Sequence, residues 1–323
     1  MLNAKDETYY NVKGIHIMDL LINESDAQIL IPALPALQKY QNVIGLNVTF
    51  MARVEAQAKS CGFTDFYDTY SNQFPPNAPS SGVKGCDVWG DIKRAALAVN
   101  PCFNVYHLTD FCPYLWDHMG FPSLRTGLNN YFNRTDVQKA INAPSTDYSI
   151  CKPGPNLFPN DDNSLPSALG PLSSVIKRTN NTITSHGPLD FLLFSQGTLL
   201  TIQNMTWNSL QGFQSPPAVG NLLIPYHQTI DEIMKWSHSA DPHAPSFTDT
   251  AGAGVQGSWV SERGLTFVQV ALAGHEIPQY TPGVAYRTLE LLLGRIGNLS
   301  VEGDYTTRSQ GNYTGTPAPL KKS

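Results

Sequence analysis

Apolar positions along the chain follow two rhythms. Residues 8–22, TYYNVKGIHIMDLLI, carry Ile15, Ile17, Leu20 and Leu21 in a short run that predicts a buried strand followed by a loop. Asn181–Ser185 predicts a second short strand, with Asp190 in the turn after it. Leu265–Ala273, LTFVQVALA, alternates as a third, and His275 follows its C-terminal end. Helical spacing appears elsewhere. Residues 26–50 show it in mixed form, interrupted by Pro32 and Pro35. TDVQKAINA, from Thr135, predicts a helix with Thr135 or Asp136 as N-cap and with Val137, Ala140 and Ile141 on one face. Thr198–Trp207 can form another helix. Thr281 then caps a helix with Pro282 at its first position, with Ala285, Leu289, Leu292 and Leu293 as the apolar face and Arg295 near its C-terminus. Three stretches lack a clear period: 52–125, with the loop FPPNAPSSGVKG at its centre; 143–174, rich in Pro, Ser and Asn; and 208–263, expected to be irregular surface. No internal repeat is present.

A length of 323 residues with 41% hydrophobic positions is enough for a sizeable core, in one large domain or two ordinary ones. Charged residues make up only 15%, against 25 glycines and 24 prolines, a balance that fits a loop-rich exported enzyme better than a helical cytosolic protein. The net charge of −5, without basic runs, offers nucleic acid no electrostatic footprint. No apolar run approaches the length of a membrane span.

Cysteines and sequons sharpen this picture. Cys61, Cys86, Cys102, Cys112 and Cys151 are five in number, and the first four crowd into the Gly/Pro/Tyr-rich stretch that gains most from disulfides. The absence of any C-x-x-C pair argues against zinc. Seven N-x-S/T sequons, at Asn23, Asn47, Asn133, Asn180, Asn204, Asn298 and Asn312, exceed the about three that chance supplies, and predict glycosylation. The opening MLNAKDETYY has neither the basic nor the apolar region of a signal peptide. An exported, glycosylated chain without a leader implies that Met1 is an internal methionine of a longer reading frame.

The candidate chemistry lies at the ends of two strands. Asp190, in SHGPLD, and His275, in GHEIP, stand 85 residues apart. Loops after parallel strands converge at one sheet edge, where an Asp can fix an imidazole's tautomer and leave its other nitrogen as a base. This is the Asp…His part of a Ser…Asp…His triad, yet no G-x-S-x-G elbow occurs in the 323 residues.

The sequence around both residues resembles the serine carboxypeptidase family of α/β-hydrolases, and most of all a secreted fungal branch. GHEIPQYTPGVAYRTLELLLGR is similar to the family's G-H-M-V-P segment and the helix after it. GPLD places Asp190 at the second Asp of the family's G-D-x-D turn, with Gly197 at the expected spacing. YFNRTDVQKAINA resembles the family's Y-L-N-x-x-x-V-Q-x-A-L, and TYYNVKGIHIMD the strand just after the nucleophile helix. The resemblance spans nearly all of the chain and corresponds to about the last three-fifths of a family member. Three departures stand out. The serine elbow and the N-G-G-P-G oxyanion loop are absent, Pro188 replaces the first Asp of the turn, and Glu276 stands where the family more often has Met.

The resemblance implies an α/β-hydrolase core without its N-terminal strands, so residues 1–323 form a partial domain, interrupted by a disulfide-bonded cap at about 52–174. The strand at Gly14–Met18 would then lie beside an absent nucleophile strand and leave an open edge. The implied activity is serine-type carboxypeptidase cleavage, with peptide C-termini as partners and no metal or organic cofactor. A Ser attacks the last peptide carbonyl, His275 shuttles its proton, Asp190 orients His275, and backbone N–H groups hold the oxyanion. Glu276 is the implied substrate-pocket position. Family members favour acid, because carboxyl groups bind the substrate's terminal carboxylate in protonated form. Cys61, Cys86, Cys102 and Cys112 would form two bridges in one of three pairings, and Cys151 corresponds to a cysteine that bridges to the N-terminal region, so it is unpaired here. The full-length protein is expected outside the cell or in a vacuole. Two alternatives remain: an inactive truncated glycoprotein that binds peptides, or another activity on the same scaffold, such as an esterase, acyltransferase or hydroxynitrile lyase.

Overall fold

A computed structural model describes residues 8, 10–75, 86–110, 131–148, 164–217, 220–225, 253–301 and 303. Its centre is a five-stranded sheet in the order β1-β2-β7-β6-β5, formed by β1 (Ile15–Met18), β2 (Thr182–His186), β5 (Gly220–Ile224), β6 (Gly254–Glu262) and β7 (Leu265–Val270). The short β3 (Thr206–Trp207) and β4 (Leu210–Gln211) pair separately. β1, β2 and β7 run parallel, with Ile15 opposite Thr182 and Thr182 opposite Leu265. Residues 187–190 and 271–275 therefore leave the sheet on the same edge. Among the described residues, β1 ends the sheet with one side unpaired.

β2 is buried along its whole length although its sequence is TITSH. Such polarity is tolerable in a core only where each group finds a partner. Thr184 Oγ1 donates to the Thr266 carbonyl at 3.2 Å, and Ser185 Oγ lies 2.7 Å from His16 Nε2. Burial pulls His16 down to about 4, so its ring is neutral and its tautomer sets which of the two groups donates.

β6 overturns the expectation of irregular chain over 208–263. Glycines and serines dilute its alternation, but it pairs antiparallel with both β5 and β7. The two-residue turn into β7, Arg263-Gly264, has φ of 52° and 84°, the left-handed pair that a tight hairpin needs.

Helices cover both faces of the sheet. Leu172 and Ile176 of Pro171–Thr179, with Leu199 and Ile202 of Ser195–Asn204, share a core with Leu265 and Phe267. On the other face Val284 of Pro282–Leu292 packs with Ile183, Val268 and Val270. Pro282 takes the first position of that helix as expected, but its buried residues are Val284, Arg287, Thr288 and Glu290, while Leu289 and Leu293 are 41% and 55% exposed. The helix Thr135–Ala140 also differs from expectation. Arg134 is its N-cap residue and makes no side-chain cap, Val137 is buried, and Ile141 is exposed. Gln138 ties that helix down instead, donating to the Phe132 and Thr146 carbonyls.

The cysteine-rich stretch is more regular than its composition implied. Helices Val48–Ser60, Phe63–Tyr70 and Val88–Val99 pack with Ile31–Lys39 around Leu34, Leu37, Val54, Ala58, Phe63, Val88, Ile92 and Ala96. Asn47 caps the first by accepting the Phe50 N–H, Asp87 caps the third by accepting the Gly90 N–H, and a Cys61–Cys86 disulfide joins these helices. Gln28 anchors this layer to the sheet. Fully buried, it accepts the Ile22 and Asn23 N–H groups and donates to the Leu20 carbonyl and to Thr198 Oγ1. Among the described residues, no helix is long and apolar enough to cross a membrane.

Candidate active site

The two strand-end loops meet. Leu189 N–H donates to the Ala273 carbonyl at 3.0 Å. A Cβ on Gly187 would lie 2.4 Å from the Ala273 and Gly274 carbonyl oxygens, so only glycine permits this approach. Asp190 is buried, and its Oδ1 accepts the N–H groups of Leu192 at 2.7 Å and Leu193 at 3.0 Å. Its Oδ2 lies 2.8 Å from His275 Nδ1. Backbone amides thus aim Asp190 without help from the residue that Pro188 replaces. With Nδ1–H donated to Asp190, the Nε2 of His275 is the free base position, on a side chain 24% exposed.

A third segment clips both loops. The Val105 carbonyl accepts the Phe191 N–H at 2.8 Å, Leu108 N–H donates to the Leu189 carbonyl at 3.0 Å, and the Tyr106 carbonyl accepts the His275 N–H at 2.7 Å. Gly274 is needed here too, because a Cβ there would stand 2.2 Å from the Tyr106 carbonyl oxygen. Cys102, just before this segment, is disulfide-bonded. Trp89 Nε1 donates to the Phe191 carbonyl at 2.7 Å, which joins the helical layer to the Asp190 loop.

The electrostatics follow from this geometry. Burial works against the Asp190 carboxylate, but hydrogen bonds from His186 and His275 outweigh it and hold Asp190 below its ordinary value. Burial also works against a charged His275, and there the Asp190 hydrogen bond and charge, with smaller contributions from Asp19 and Glu276, leave the ring above its ordinary value. Glu276 follows His275 at the start of the short helix Ile277–Tyr280 and is half-buried.

Two residues of this centre carried no signal in the sequence. His186 is the last residue of β2, and Asp19 immediately follows β1, in a left-handed conformation with φ of 44°. Both are buried, and His186 stands four residues before Asp190, the one spacing that could have drawn attention to it. Ligand atoms of Asp19, His186 and Asp190 lie within 4.8 Å of one another, near enough to hold a cation. Asp19 Oδ1 already accepts the Gly187 N–H, and both nitrogens of His186 have hydrogen-bond partners, so the group fits a hydrogen-bonded cluster better. Beside the Asp190 loop a cavity of about 300 Å³ opens between the Ile31–Lys39 helix and the ends of β6 and β7, with Lys39, Tyr67, Gln196 and Gln269 on its wall.

Of the remaining sequence-predicted positions, Cys112, Cys151 and Asn312 lie outside the described residues. Asn47 and Asn180 are exposed, while Asn23, Asn133, Asn204 and Asn298 are half-buried.

Comparisons with known proteins place the chain in a family. A family model described as serine carboxypeptidase matches residues 2–295. A carboxypeptidase Y homolog of Arthroderma benhamiae is 44% identical over 304 residues, covering 93% of this chain and 56% of that protein. Serine-type carboxypeptidase F of Aspergillus niger is 35% identical over 317 residues, covering 91% of this chain and 57% of that protein. The chain therefore spans a little over half the length of these relatives. The crystal structure of Kex1(delta)p, a prohormone-processing carboxypeptidase from Saccharomyces cerevisiae, matches the fold with a TM-score of 0.55 at 16% identity, covering 92% of this chain and 59% of that one.

Proposed function

The chain belongs to the serine carboxypeptidase family, and from that premise we propose that it supplies the base half of a serine-type carboxypeptidase site. The observation that carries this reading is the 2.8 Å contact between His275 Nδ1 and Asp190 Oδ2, at the shared edge of two parallel strands. In the reaction, His275 Nε2 takes the proton of an attacking Ser and returns it to the leaving amino acid, and Asp190 stabilises the imidazolium between the two steps. The Ser and the oxyanion donors come from outside these 323 residues, which contain no G-x-S-x-G elbow. The helices between residues 48 and 99, joined by Cys61–Cys86, contribute part of the proposed cap, at about 52–174. Glu276, next to His275, is the proposed contact for the released residue.

An assay tests the reading directly. The chain alone should release no C-terminal residue from a blocked dipeptide at pH 4–6. The same chain joined to the N-terminal portion of a relative at 44% identity should do so. Turnover by the chain alone that His275→Ala abolishes refutes the proposed division of labour, and an inactive, folded fusion refutes the carboxypeptidase reading.

We also propose export, outside the cell or to a vacuole, with glycans on the exposed Asn47 and Asn180, two bridges (Cys61–Cys86 and Cys102–Cys112), and a Cys151 that pairs outside the chain. Peptide mapping after alkylation without reductant should find glycan at both asparagines and label on Cys151 alone. Unmodified sequons in protein recovered from a fungal secretory host, or label on Cys102, would contradict this.

A further inference from the structure

Behind the Asp190–His275 pair lies a second imidazole. His186 is fully buried, and three oxygens converge on its Nε2: the Leu193 carbonyl at 2.8 Å, Asp190 Oδ2 at 3.4 Å and Asp19 Oδ1 at 3.6 Å. A carbonyl and two carboxylates are acceptors, so Nε2 must carry the proton. Its other nitrogen, Nδ1, lies 3.0 Å from Thr198 Oγ1, a hydroxyl that also accepts from Gln28 Nε2 at 3.3 Å. A hydroxyl can donate to a neutral Nδ1 or accept from a protonated one, so His186 can change charge without losing a partner. Asp190 Oδ2 thus faces two rings: His275 Nδ1 at 2.8 Å, and His186 Nε2 at 3.4 Å, whose shortest contact is the Leu193 carbonyl.

We propose that His186, backed by Asp19, is a positioning residue for catalysis: its Nε2–H competes with His275 for Asp190 Oδ2 and so sets how strongly Asp190 draws on the His275 proton. This rests on the catalytic pair proposed above. The ionisable groups facing the cluster are Asp19 from the end of β1, Asp190 and His186 from β2 and its loop, His275 with Glu276 from the loop after β7, and His107 from the segment that clips both loops, a ring that burial holds below its ordinary value. Thr198 and Gln28, on the remaining side, are neutral. Asp19 is the member most free to change charge. It accepts one backbone N–H, from Gly187 at 2.9 Å, and its Oδ2 is buried without a hydrogen bond. Burial, moderated by the nearby imidazoles, pushes its carboxyl up to about 7. In acid Asp19 holds its own proton, and Asp190 is the one anion that the two imidazoles share. Above pH 7 a second anion appears beside them. A carboxyl whose folded value is raised, like an imidazole whose folded value is raised, stabilises the folded state most in acid and less as pH climbs through that value. The cluster therefore favours the assembled site over roughly pH 4–6.

The test is the titration midpoint of His275 in the 323-residue chain, followed by NMR of its ring with His275→Gln as the assignment control. This readout does not require turnover, so it stands whether or not the joined enzyme proves to be a carboxypeptidase. His186→Asn keeps a polar group near Thr198 but withdraws the donor from Asp190, and should raise the His275 midpoint by about one pH unit, a tenfold change in its protonation equilibrium. His186→Gln returns an amide N–H close to the position of Nε2 and should bring the midpoint back most of the way. Asp19→Asn keeps an acceptor for Gly187 and removes a charge that favours protonated His275, so it should lower the midpoint. A purely structural His186 would change the melting temperature and leave the midpoint in place. An unmoved midpoint in His186→Asn, or an equal shift in His186→Gln, overturns the proposal. Should His186→Asn fail to fold, Asp19→Asn decides alone, and no movement there overturns it.

Discussion

Replacing Asp190 by Asn in the joined, active enzyme should lower kcat by about four orders of magnitude while leaving KM within a few-fold. The size of the loss follows from the direction in which the new amide must point. Oδ1 of Asp190 accepts two backbone N–H groups, from Leu192 and Leu193. Asn can keep those bonds only by placing its carbonyl oxygen there, and its NH2 then falls where Oδ2 faced His275 Nδ1. Two donors cannot face each other, so His275 must move its proton from Nδ1 to Nε2. Nε2–H is no longer a base, and the Ser loses its proton acceptor. The fold should survive, because no main-chain bond is lost. Steady-state kinetics on a blocked dipeptide, with a melting curve as control, measures this. A loss of less than tenfold would show that Asp190 does not set the tautomer.

The largest loss of stability is expected at Arg287, which the catalytic argument does not involve. Arg287 Nη1 donates to Glu290 Oε2 at 2.8 Å with both side chains 1% exposed, and its Nη2 donates to the Val301 carbonyl at 2.7 Å. Arg287→Ala removes the guanidinium from the buried Glu290 carboxylate and frees the segment at Val301, at a loss of about 3–5 kcal/mol. The paired substitution Arg287→Met with Glu290→Met removes both charges and should lose far less, within about 1 kcal/mol of the parent. Urea unfolding of the three proteins checks the ordering. A single variant as stable as the double would mean that the pair is solvated and contributes little.

That helix also shows where the sequence was legible and where it was not. Pro282 marked its first turn correctly, since a proline there loses no helical bond. Two of its four expected apolar residues, Ala285 and Leu292, do pack against the core, but Leu289 and Leu293 are more exposed than the Arg287 and Glu290 that pair inside. Single-residue hydrophobicity carries no information about a partner that arrives through folding. β6 was hidden for a related reason: glycine and serine suit a strand closely paired on both sides, yet they leave no alternation to detect. Asp190 and His275 were recognisable because each sits in a short loop whose local sequence is constrained by close backbone approach, at Gly187 and Gly274. Asp19 and His186 were not, since their role depends on the pairing of β1 with β2 across more than 160 residues.

The clip formed by residues 105–108 has a consequence for how such a protein can diversify. Three of its bonds to the Asp190 and His275 loops are made by main-chain atoms, and a fourth joins His107 Nε2 to the Leu272 carbonyl. Main-chain bonds are indifferent to the side chains attached, provided that no proline replaces the donor at Leu108 or Phe191. Substitutions at Val105 and Tyr106 can therefore reshape what surrounds the imidazole while the distance between acid and base stays where the sheet put it, whereas the His107 side chain is itself tied to the Leu272 carbonyl. Recognition and chemistry occupy the same few residues, yet they answer to different atoms.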